Sequence, residues 1–237
     1  MISINVINDS MEGERSYVRT SSFMTMYYRL QSNIPHHINV FGGHQSIPDY
    51  DYFLPGDFKH KENVRNMFEY NFAKYDDDDI LVHLECDIHL CYNFVEYLVM
   101  MEEKLGPSFD SVRTGFTTQN DALDVFVDVV RKKEPRWLFM KPQDYWFAQC
   151  WWMPIKWCKQ YFEFFKVYEG PKQLVDIILH DWMIKVGREW FAIAIPNLVM
   201  HTGRISTIFK DGSLAQESNI VTGRRQTATY VEDPFGL

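Results

Sequence analysis

The stretch DDDDILVHLECDIHLCYNF, Asp76–Phe94, decides the fold expected for this chain. Its apolar centre predicts a buried strand over Ile80–Cys86, and the four aspartates before it are typical of a hydrated turn. Glu85 and Asp87 stand where that strand ends. A charge taken out of water is costly unless it is paired or bound to a metal. The two acids are therefore expected at the exposed end of the strand, or beside a cation.

The elements around this stretch predict a parallel sheet. A strand at Ile2–Ile7 is followed by apolar residues at helical spacing from Val18 to Leu30, and then by a second strand at His36–Gly43. This β-α-β order opens an α/β fold. A loop and then a second helix are predicted within 50–75, and the buried stripe of that helix is Val64, Met67, Phe68, Phe72 and Tyr75. Further helices are predicted at 92–106, 121–133, 155–168 and 171–187, with strands and loops at 134–154 and a last strand within 190–203. The fold class is α/β, Rossmann-like, with a mixed, mostly parallel sheet flanked by helices.

Length and composition indicate one soluble globular domain. The chain has 237 residues, 46% of them hydrophobic, and a formal net charge of −8, which disfavours nonspecific binding to nucleic acid. The four cysteines form no CxxC pair and match no common zinc framework. The N-terminus lacks the features of a signal peptide, and no apolar run approaches the ~20 residues that span a bilayer. We expect a cytoplasmic protein with no membrane span.

The two acids of the opening stretch are candidates for a metal site. On a continuing strand Glu85 and Asp87 would project to the same side, at the carboxyl edge where open α/β sheets bind ligands. Paired carboxylates there suit Mn²⁺ or Mg²⁺. An acid-x-acid pair is also compatible with two hydrated acids in a loop. A mixed zinc site using His83 and His89 is a further alternative, although His83 should lie too deep in the strand.

Three segments resemble nucleotide-sugar glycosyltransferases of the GT-A fold. They are the strand with its acid-x-acid motif, IPNLVMHTGRIS (Ile195–Ser206) and LHDWMIK (Leu179–Lys185). The start of the chain, VINDSMEGERSYVRTSSF, is loosely similar to lipopolysaccharide-type members. The resemblance extends from Ile2 to about Ser206. The chain differs from the family pattern in having Cys86 in the middle of the acidic motif.

The resemblance implies a role for each matching residue. Glu85, Asp87 and His201 would hold Mn²⁺ or Mg²⁺ against the donor diphosphate, and Asp181 would be the base or the acceptor contact. Other donor contacts are expected from Asn8, Asp9, Arg15, Arg19, Arg204 and Lys210, and acceptor contacts from Trp146, Trp151 and Trp152. The alternatives are a solvated acid at Asp181, surface positions for the two helix arginines, Arg15 and Arg19, and core packing of the tryptophans.

The predicted function is metal-dependent transfer of a hexosyl or pentosyl group from a nucleoside-diphosphate sugar, with a UDP-sugar favoured. The acceptor hydroxyl would belong to a glycan, or to a hydroxymethylated base in viral DNA. Residues 1–105 would bind the nucleotide sugar and residues 106–205 the acceptor, and residues 206–237 would be a tail that orders on ligand. The alternatives are a nucleotidyltransferase or pyrophosphorylase, a non-catalytic nucleotide-sugar-binding module and a zinc protein.

Overall fold

The structure is a computed structural model that describes most of the chain. The described residues are 1–8, 24–43, 50–56, 59–86, 88–105, 111–116, 121–144, 149–170, 174–201 and 230–233; for residues 121–124 and 201 this description covers the backbone only. No helix in these ranges is long and apolar enough to cross a membrane.

The described elements alternate between strands and helices. The strands are β1 (Ile2–Ile7), β2 (His36–Phe41), β3 (Tyr52–Leu54), β4 (Ile80–Glu85), β5 (Ile88–Leu90), β6 (Val112–Thr114), β7 (Arg136–Met140), β8 (Cys150–Pro154), β9 (Phe191–Ile195) and β10 (Val199–His201). The helices are α1 (described over 24–29), α2 (His60–Lys74), α3 (Phe94–Leu105), α4 (Asp121–Lys132), α5 (Ile155–Lys166) and α6 (Val175–Lys185), with a 3-10 turn at Pro142–Asp144.

Eight of these strands form one sheet, in the order β3-β2-β1-β4-β8-β6-β9-β7. Six strands run in one direction, and β8 and β7 run against them. The predicted mixed, mostly parallel α/β sheet is confirmed. β8 lies between β4 and β6, with Ile80 opposite Pro154 and Leu84 opposite Cys150.

The sheet is buried on both faces, as its apolar strands require. Along β4, Leu81 packs into the core beneath α2, α5 and α6, whereas Val82 and Leu84 pack into the opposite core beneath α1 and α3. Phe68 of α2 is fully buried among aromatic rings. Truncating such a side chain to alanine destabilises a protein by about 3–5 kcal/mol.

A buried polar network fixes α2 against β1 and β2. Ser3 Oγ donates to Asn71 Oδ1 at 2.6 Å, and Asn71 Nδ2 donates to Asn5 Oδ1 at 2.8 Å. Asn39 Nδ2 donates to Ser3 Oγ at 2.9 Å. Because paired polar groups in a core tolerate few alternative arrangements, the network fixes the C-terminal part of α2, where Asn71 lies, against β1 and β2.

The aspartate run is a turn at the opposite, amino edge of the sheet, as the sequence predicts. Asp79 pairs with the amino group of Met1 at 2.6 Å, and Asp78 with Lys156 at 2.8 Å. Asp77 pairs with Lys159 at 2.5 Å. Such exposed pairs contribute little stability because water and salt screen them. The run therefore lies at the edge away from Glu85.

The last strand predicted within 190–203 is instead two strands. β9 belongs to the large sheet, whereas β10 pairs antiparallel with β5 in a separate two-stranded ribbon. Pro196, which follows a cis peptide bond, stands between them, and proline has no N–H to continue a strand ladder. Leu198 N donates instead to Gly115 O at 2.8 Å. The chain thereby leaves the sheet and reaches the residues that follow β4.

Candidate functional site

The carboxyl ends of β1 and β2 meet at Asn8, Gly42 and Gly43. Asn8 N donates to Phe41 O at 2.9 Å, and both glycines have positive φ, 89° and 75°. A Cβ on Gly42 would lie 2.4 Å from Asn8 O, and one on Gly43 would lie 2.3 Å from Asn8 Nδ2. Only glycine fits this close approach of two loops. Of the predicted donor contacts, Asn8 is therefore positioned at the expected edge.

Glu85 is the last residue of β4 and lies at the same edge. Its carboxylate is partly exposed, and Oε1 is 3.8 Å from Nε2 of His60. His60 opens α2, where the positive end of the helix dipole favours a negative charge nearby. The sequence reasoning missed His60 because a single histidine in a loop-to-helix segment carries no recognisable spacing.

β4 is shorter than predicted and does not carry the chain from Glu85 to Asp87 as one strand. β4 ends at Glu85, and Cys86 is already in a turn, so strand alternation does not extend to Asp87. The predicted strand is one residue too long at this end. Asp87 itself lies outside the described residues, together with other predicted contacts: Asp9, Arg15, Arg19, Trp146, Arg204 and Lys210.

The ribbon of β5 and β10 brings the third predicted ligand into this region. Val199 pairs with Leu90, and His201 lies directly opposite Ile88, the residue that follows Asp87. The backbone of His201 therefore lies next to the acidic motif, although its side chain is not described. Within the described residues, His, Cys, Asp and Glu side chains form no group of three that could hold a metal; Asp87 and the His201 imidazole fall outside that search.

The histidines of the alternative zinc site are in different surroundings. His83 is fully buried and stacks on Trp151, with ring centres 4.9 Å apart. Burial holds the pKa of His83 well below its usual range, with His60 contributing. Neither ring nitrogen has a hydrogen-bond partner among the described residues. His89 lies instead on the ribbon, 3.5 Å from Glu232.

Asp181, the predicted base, lies on α6 with its carboxylate held by two neighbours. The hydroxyl of Tyr168 donates to Oδ2 at 2.5 Å, and His180 Nδ1 is 2.9 Å from Oδ1. The hydrogen bond to Asp181 raises the pKa of Tyr168 to about 12. The Asp181 side chain is 39% exposed. It is therefore oriented by its neighbours and still accessible to a ligand.

Asp176 links α6 to the Glu85 end of the site. Burial raises the pKa of this carboxyl, and electrostatic interactions with His60 and His180 oppose the shift. Asp176 and His180 are four residues apart, on one face of α6. That spacing was visible in the sequence and could have identified the pair. The arrangement places three carboxylates and two histidines along this side of the molecule: Glu85, Asp176, Asp181, His60 and His180.

Trp151 and Trp152 lie in the core, not at an acceptor surface. Both are fully buried in β8; Trp151 packs against Phe68, and Trp152 Nε1 donates to Glu102 at 2.7 Å. Core packing, the alternative that the sequence left open, is what the structure shows for both. Side chains of β8 alternate between the two faces of the sheet, so Trp151 packs into one core and Trp152 into the other.

Comparison with known proteins gives only distant likenesses. No protein-family model matches the sequence, and neither does any curated protein. Among solved structures, the galactosyltransferase LgtC in complex with donor and acceptor sugar analogs is 11% identical over 94% of this chain and 96% of that chain, with a TM-score of 0.46.

Two further solved structures are similar at the same level. An active-site mutant of LgtC is 12% identical over 98% of both chains, with a TM-score of 0.45. A mycobacterial protein is 13% identical over 95% of this chain and 75% of that chain, with a TM-score of 0.43. Likenesses this distant carry no weight for activity, so the function is argued from the residues of this chain.

Proposed function

We propose that this chain is a metal-dependent glycosyltransferase of the GT-A type, which moves a sugar from a nucleoside-diphosphate sugar to an acceptor hydroxyl. The pairing of His201 with Ile88 carries the proposal. His201 follows Asp87 by 114 positions in the sequence. The pairing brings its backbone opposite the residue after Asp87, at the sheet edge where α/β folds bind ligands. Neither segment alone would be informative.

The proposed cation is Mn²⁺ or Mg²⁺, held by Asp87 and His201 with Glu85 beside them. Carboxylate oxygens are ligands that both ions accept, and an imidazole is better tolerated by Mn²⁺. When bound, the cation would supply positive charge against the diphosphate leaving group. Glu85 Oε1 also lies 3.8 Å from His60 Nε2. We therefore propose that Glu85 both orients the donor and offsets the positive charge of the cation.

The donor nucleotide is proposed to lie against the ends of β1 and β2. Gly42 and Gly43 let the loops that follow β1 and β2 pack closely together, which places the ends of both strands at this edge. The Asn8 amide offers donors and an acceptor to a base or a ribose. Asp9, Arg15, Arg19, Arg204 and Lys210 are proposed to complete this half, and a UDP-sugar with a hexosyl or pentosyl group is the proposed donor.

The acceptor is proposed to approach Asp181. A general base must come within hydrogen-bond distance of the proton that it removes, and Asp181 is exposed enough for that contact. Tyr168 and His180 fix its orientation. Trp146 remains a proposed stacking partner, while the two core tryptophans of β8 are removed from this role. A glycan hydroxyl is favoured over a base in duplex DNA, because a net charge of −8 opposes phosphate binding.

A thermal-shift screen of nucleotide sugars, with and without Mn²⁺, tests the proposal. A ligand that binds the native state raises its melting temperature. We expect a Mn²⁺-dependent rise with one donor in the parent protein. Asp87→Asn and His201→Asn should keep the parent melting temperature without ligand and lose that rise. Asp76→Asn removes a carboxylate from the amino edge and serves as the matched control.

Two assays separate the proposal from its alternatives. Release of nucleoside diphosphate from the donor, dependent on Mn²⁺ and lost in Asp87→Asn, would distinguish an enzyme from a binding module. Release of pyrophosphate from a nucleoside triphosphate would instead identify a nucleotidyltransferase. An equal melting rise in the parent and in both ligand variants would overturn the proposed metal site.

A further inference from the structure

A cavity lies at the amino edge of the sheet, opposite the edge where Glu85 ends β4. Its volume is about 580 Å³, within the range of pockets that hold small molecules. Its walls come from the first turns of α5 and from the segment between α6 and β9. The lining residues are Trp157, Gln160, Val186, Gly187, Arg188, Glu189 and Trp190.

Strand direction places this cavity opposite the proposed donor site. β9 runs parallel to β6, which has the same direction as β4. The segment that enters β9 is therefore at the edge where β4 begins, whereas Glu85 is at the edge where β4 ends. α5 starts after Pro154, which pairs with Ile80 at that same beginning. A six-residue strand separates the two edges by roughly 20 Å.

Arg188 gives the cavity a positively charged wall. Its guanidinium carbon lies 4.2 Å from the ring centre of Trp157 and 5.1 Å from that of Trp182. Burial lowers the pKa of Arg188 to about 10, so the group remains charged at neutral pH. A cation partly withdrawn from water attracts an anion more strongly than a fully hydrated one, and its planar fork matches a carboxylate or a phosphate.

The remaining walls suit a sugar ring. Trp190 is half-buried and Gln160 is exposed, so an indole and an amide both reach the cavity. Indole rings pack against the apolar faces of sugars, and an amide can donate to or accept from hydroxyl groups. Gly187 leaves the wall open, since a Cβ there would meet nothing within 4 Å. Glu189 Oε2 accepts from Trp190 Nε1 at 3.2 Å, which holds the indole in place.

A second arginine near Trp157 is already neutralised. The guanidinium of Arg113 lies 5.3 Å from the Trp157 ring centre and pairs with Glu102 at 3.1 Å. Arg113 is also buried, at 2% exposure. Arg188 contributes a positive charge to the wall of the cavity, Lys141 Nζ lies 5.9 Å from the Trp190 ring centre, and the Glu189 carboxylate lies at the rim.

We propose that this cavity binds a monosaccharide unit that carries one anionic group, a carboxylate or a phosphate, with Arg188 on the anion and Trp190 and Gln160 on the sugar ring. This site lies at the edge of the sheet opposite Glu85 and the proposed donor site, and it does not depend on sugar transfer.

Calorimetric titration of the full-length protein without added divalent metal tests the site. The probes are glucuronate, glucose 6-phosphate, glucose and inorganic phosphate. We expect glucuronate or glucose 6-phosphate to bind about tenfold or more tightly than glucose, a factor that one charge-assisted hydrogen bond supplies. Arg188→Gln should remove this preference. Arg131→Gln, which takes the same charge from an exposed position on α4, should bind like the parent.

Gln160→Glu, a substitution at the rim of the cavity, tests the same site if Arg188→Gln fails to fold. Gln160 is exposed, so Gln160→Glu should leave the fold intact and weaken anion binding through repulsion. Saturable binding that is insensitive to Gln160→Glu would place the ligand elsewhere, including the donor edge, and overturn the proposal. Equal binding of glucose and glucuronate would overturn the anionic part, and phosphate binding as tight as that of glucose 6-phosphate would overturn the sugar part. Absence of binding by all four probes would overturn the site.

Discussion

Arg29 and Glu232 form an ion pair that joins helix α1 to the last described residues of the chain. Arg29 also donates to Leu90 O in β5 and packs on Tyr92, with 4.1 Å to the ring centre. Tyr92 N in turn donates to Glu232 O at 2.7 Å. The chain end is thereby fastened to the ribbon whose other strand carries His201.

We predict that Arg29→Met weakens the proposed metal site through this ribbon. The substitution removes a charged hydrogen bond to a partly buried carbonyl, a loss of about 2 kcal/mol in the free energy of unfolding. On the proposed function, the Mn²⁺ concentration for half-maximal donor hydrolysis should rise about tenfold, the lower end of the effect for groups that support metal ligands. Denaturant unfolding and a Mn²⁺ titration measure the two quantities.

An exposed arginine provides the control for this prediction. Arg131 pairs with Asp128 on α4 with its side chain 74% exposed, so Arg131→Met should change stability by less than about 1 kcal/mol and leave the Mn²⁺ requirement unchanged. If Arg29→Met lowered stability without moving the Mn²⁺ requirement, the ribbon would be a structural support with no part in metal binding.

Asp181 and Tyr168 should differ in their effects on transfer. If Asp181 is the general base, Asp181→Asn should lower kcat by about 100-fold or more while the donor still binds. Tyr168→Phe removes one hydrogen bond that orients the carboxylate, so we expect a decrease of roughly tenfold or less. Steady-state kinetics with saturating donor check both values. A parent-like rate in Asp181→Asn would assign its carboxylate to the scaffold.

His83 should make the fold sensitive to mild acid. Its pKa is lowered in the folded protein, so below about pH 6.5 the unfolded chain binds more protons than the native state does. Stability is therefore lost as the pH falls, by at most about 1.4 kcal/mol per pH unit from this group. His83→Phe retains an aromatic ring beside Trp151 and should flatten the stability profile between about pH 6.5 and 5. Urea unfolding across that range measures the slope, and an unchanged slope would contradict the assignment.

Alanine substitutions at Gly42 and Gly187 test how closely the loops at the proposed donor edge are packed, with Gly187 as the control. Both have positive φ, 89° and 70°, so an alanine at either position adds backbone strain of about 1–2 kcal/mol. At Gly42 the new Cβ would also lie 2.4 Å from a backbone oxygen. We predict that Gly42→Ala destabilises the protein by roughly 3 kcal/mol or more, and Gly187→Ala only by the strain. Equal effects would mean that the loops at the ends of β1 and β2 rearrange readily.

The periodic segments of the fold could be predicted because their patterns are local. Apolar alternation and helical spacing identified β1, β2, β4, α2 and α5 close to their observed bounds. β5 and β10 were not identified, since three-residue strands carry too little pattern. Pro196 lay inside a predicted strand, and its effect on the path of the chain depends on the contact of Leu198 with Gly115, which is not local in sequence.

The site was predictable only where its residues form a motif. Asn8, Glu85 and Asp181 were named from strand ends and from the family pattern, and the structure places Asn8 and Glu85 at the carboxyl edge of the sheet and Asp181 on α6. His60 and Asp176 come together through folding, across 116 positions. For Trp151 and Trp152 the sequence could not decide between an acceptor contact and core packing, because a tryptophan in a core and one in a binding cleft look alike in a single sequence.

The antiparallel strand β8 connects the first and second halves of the chain within one sheet, because it lies between β4 and β6. It belongs by sequence to the proposed acceptor half, yet its backbone pairs with β4 of the proposed donor half along five residues. A donor module cut after residue 105 would expose the unpaired edge of β4, a template for aggregation. Chimeras that exchange donor specificity with another protein should therefore carry β8 together with the first half.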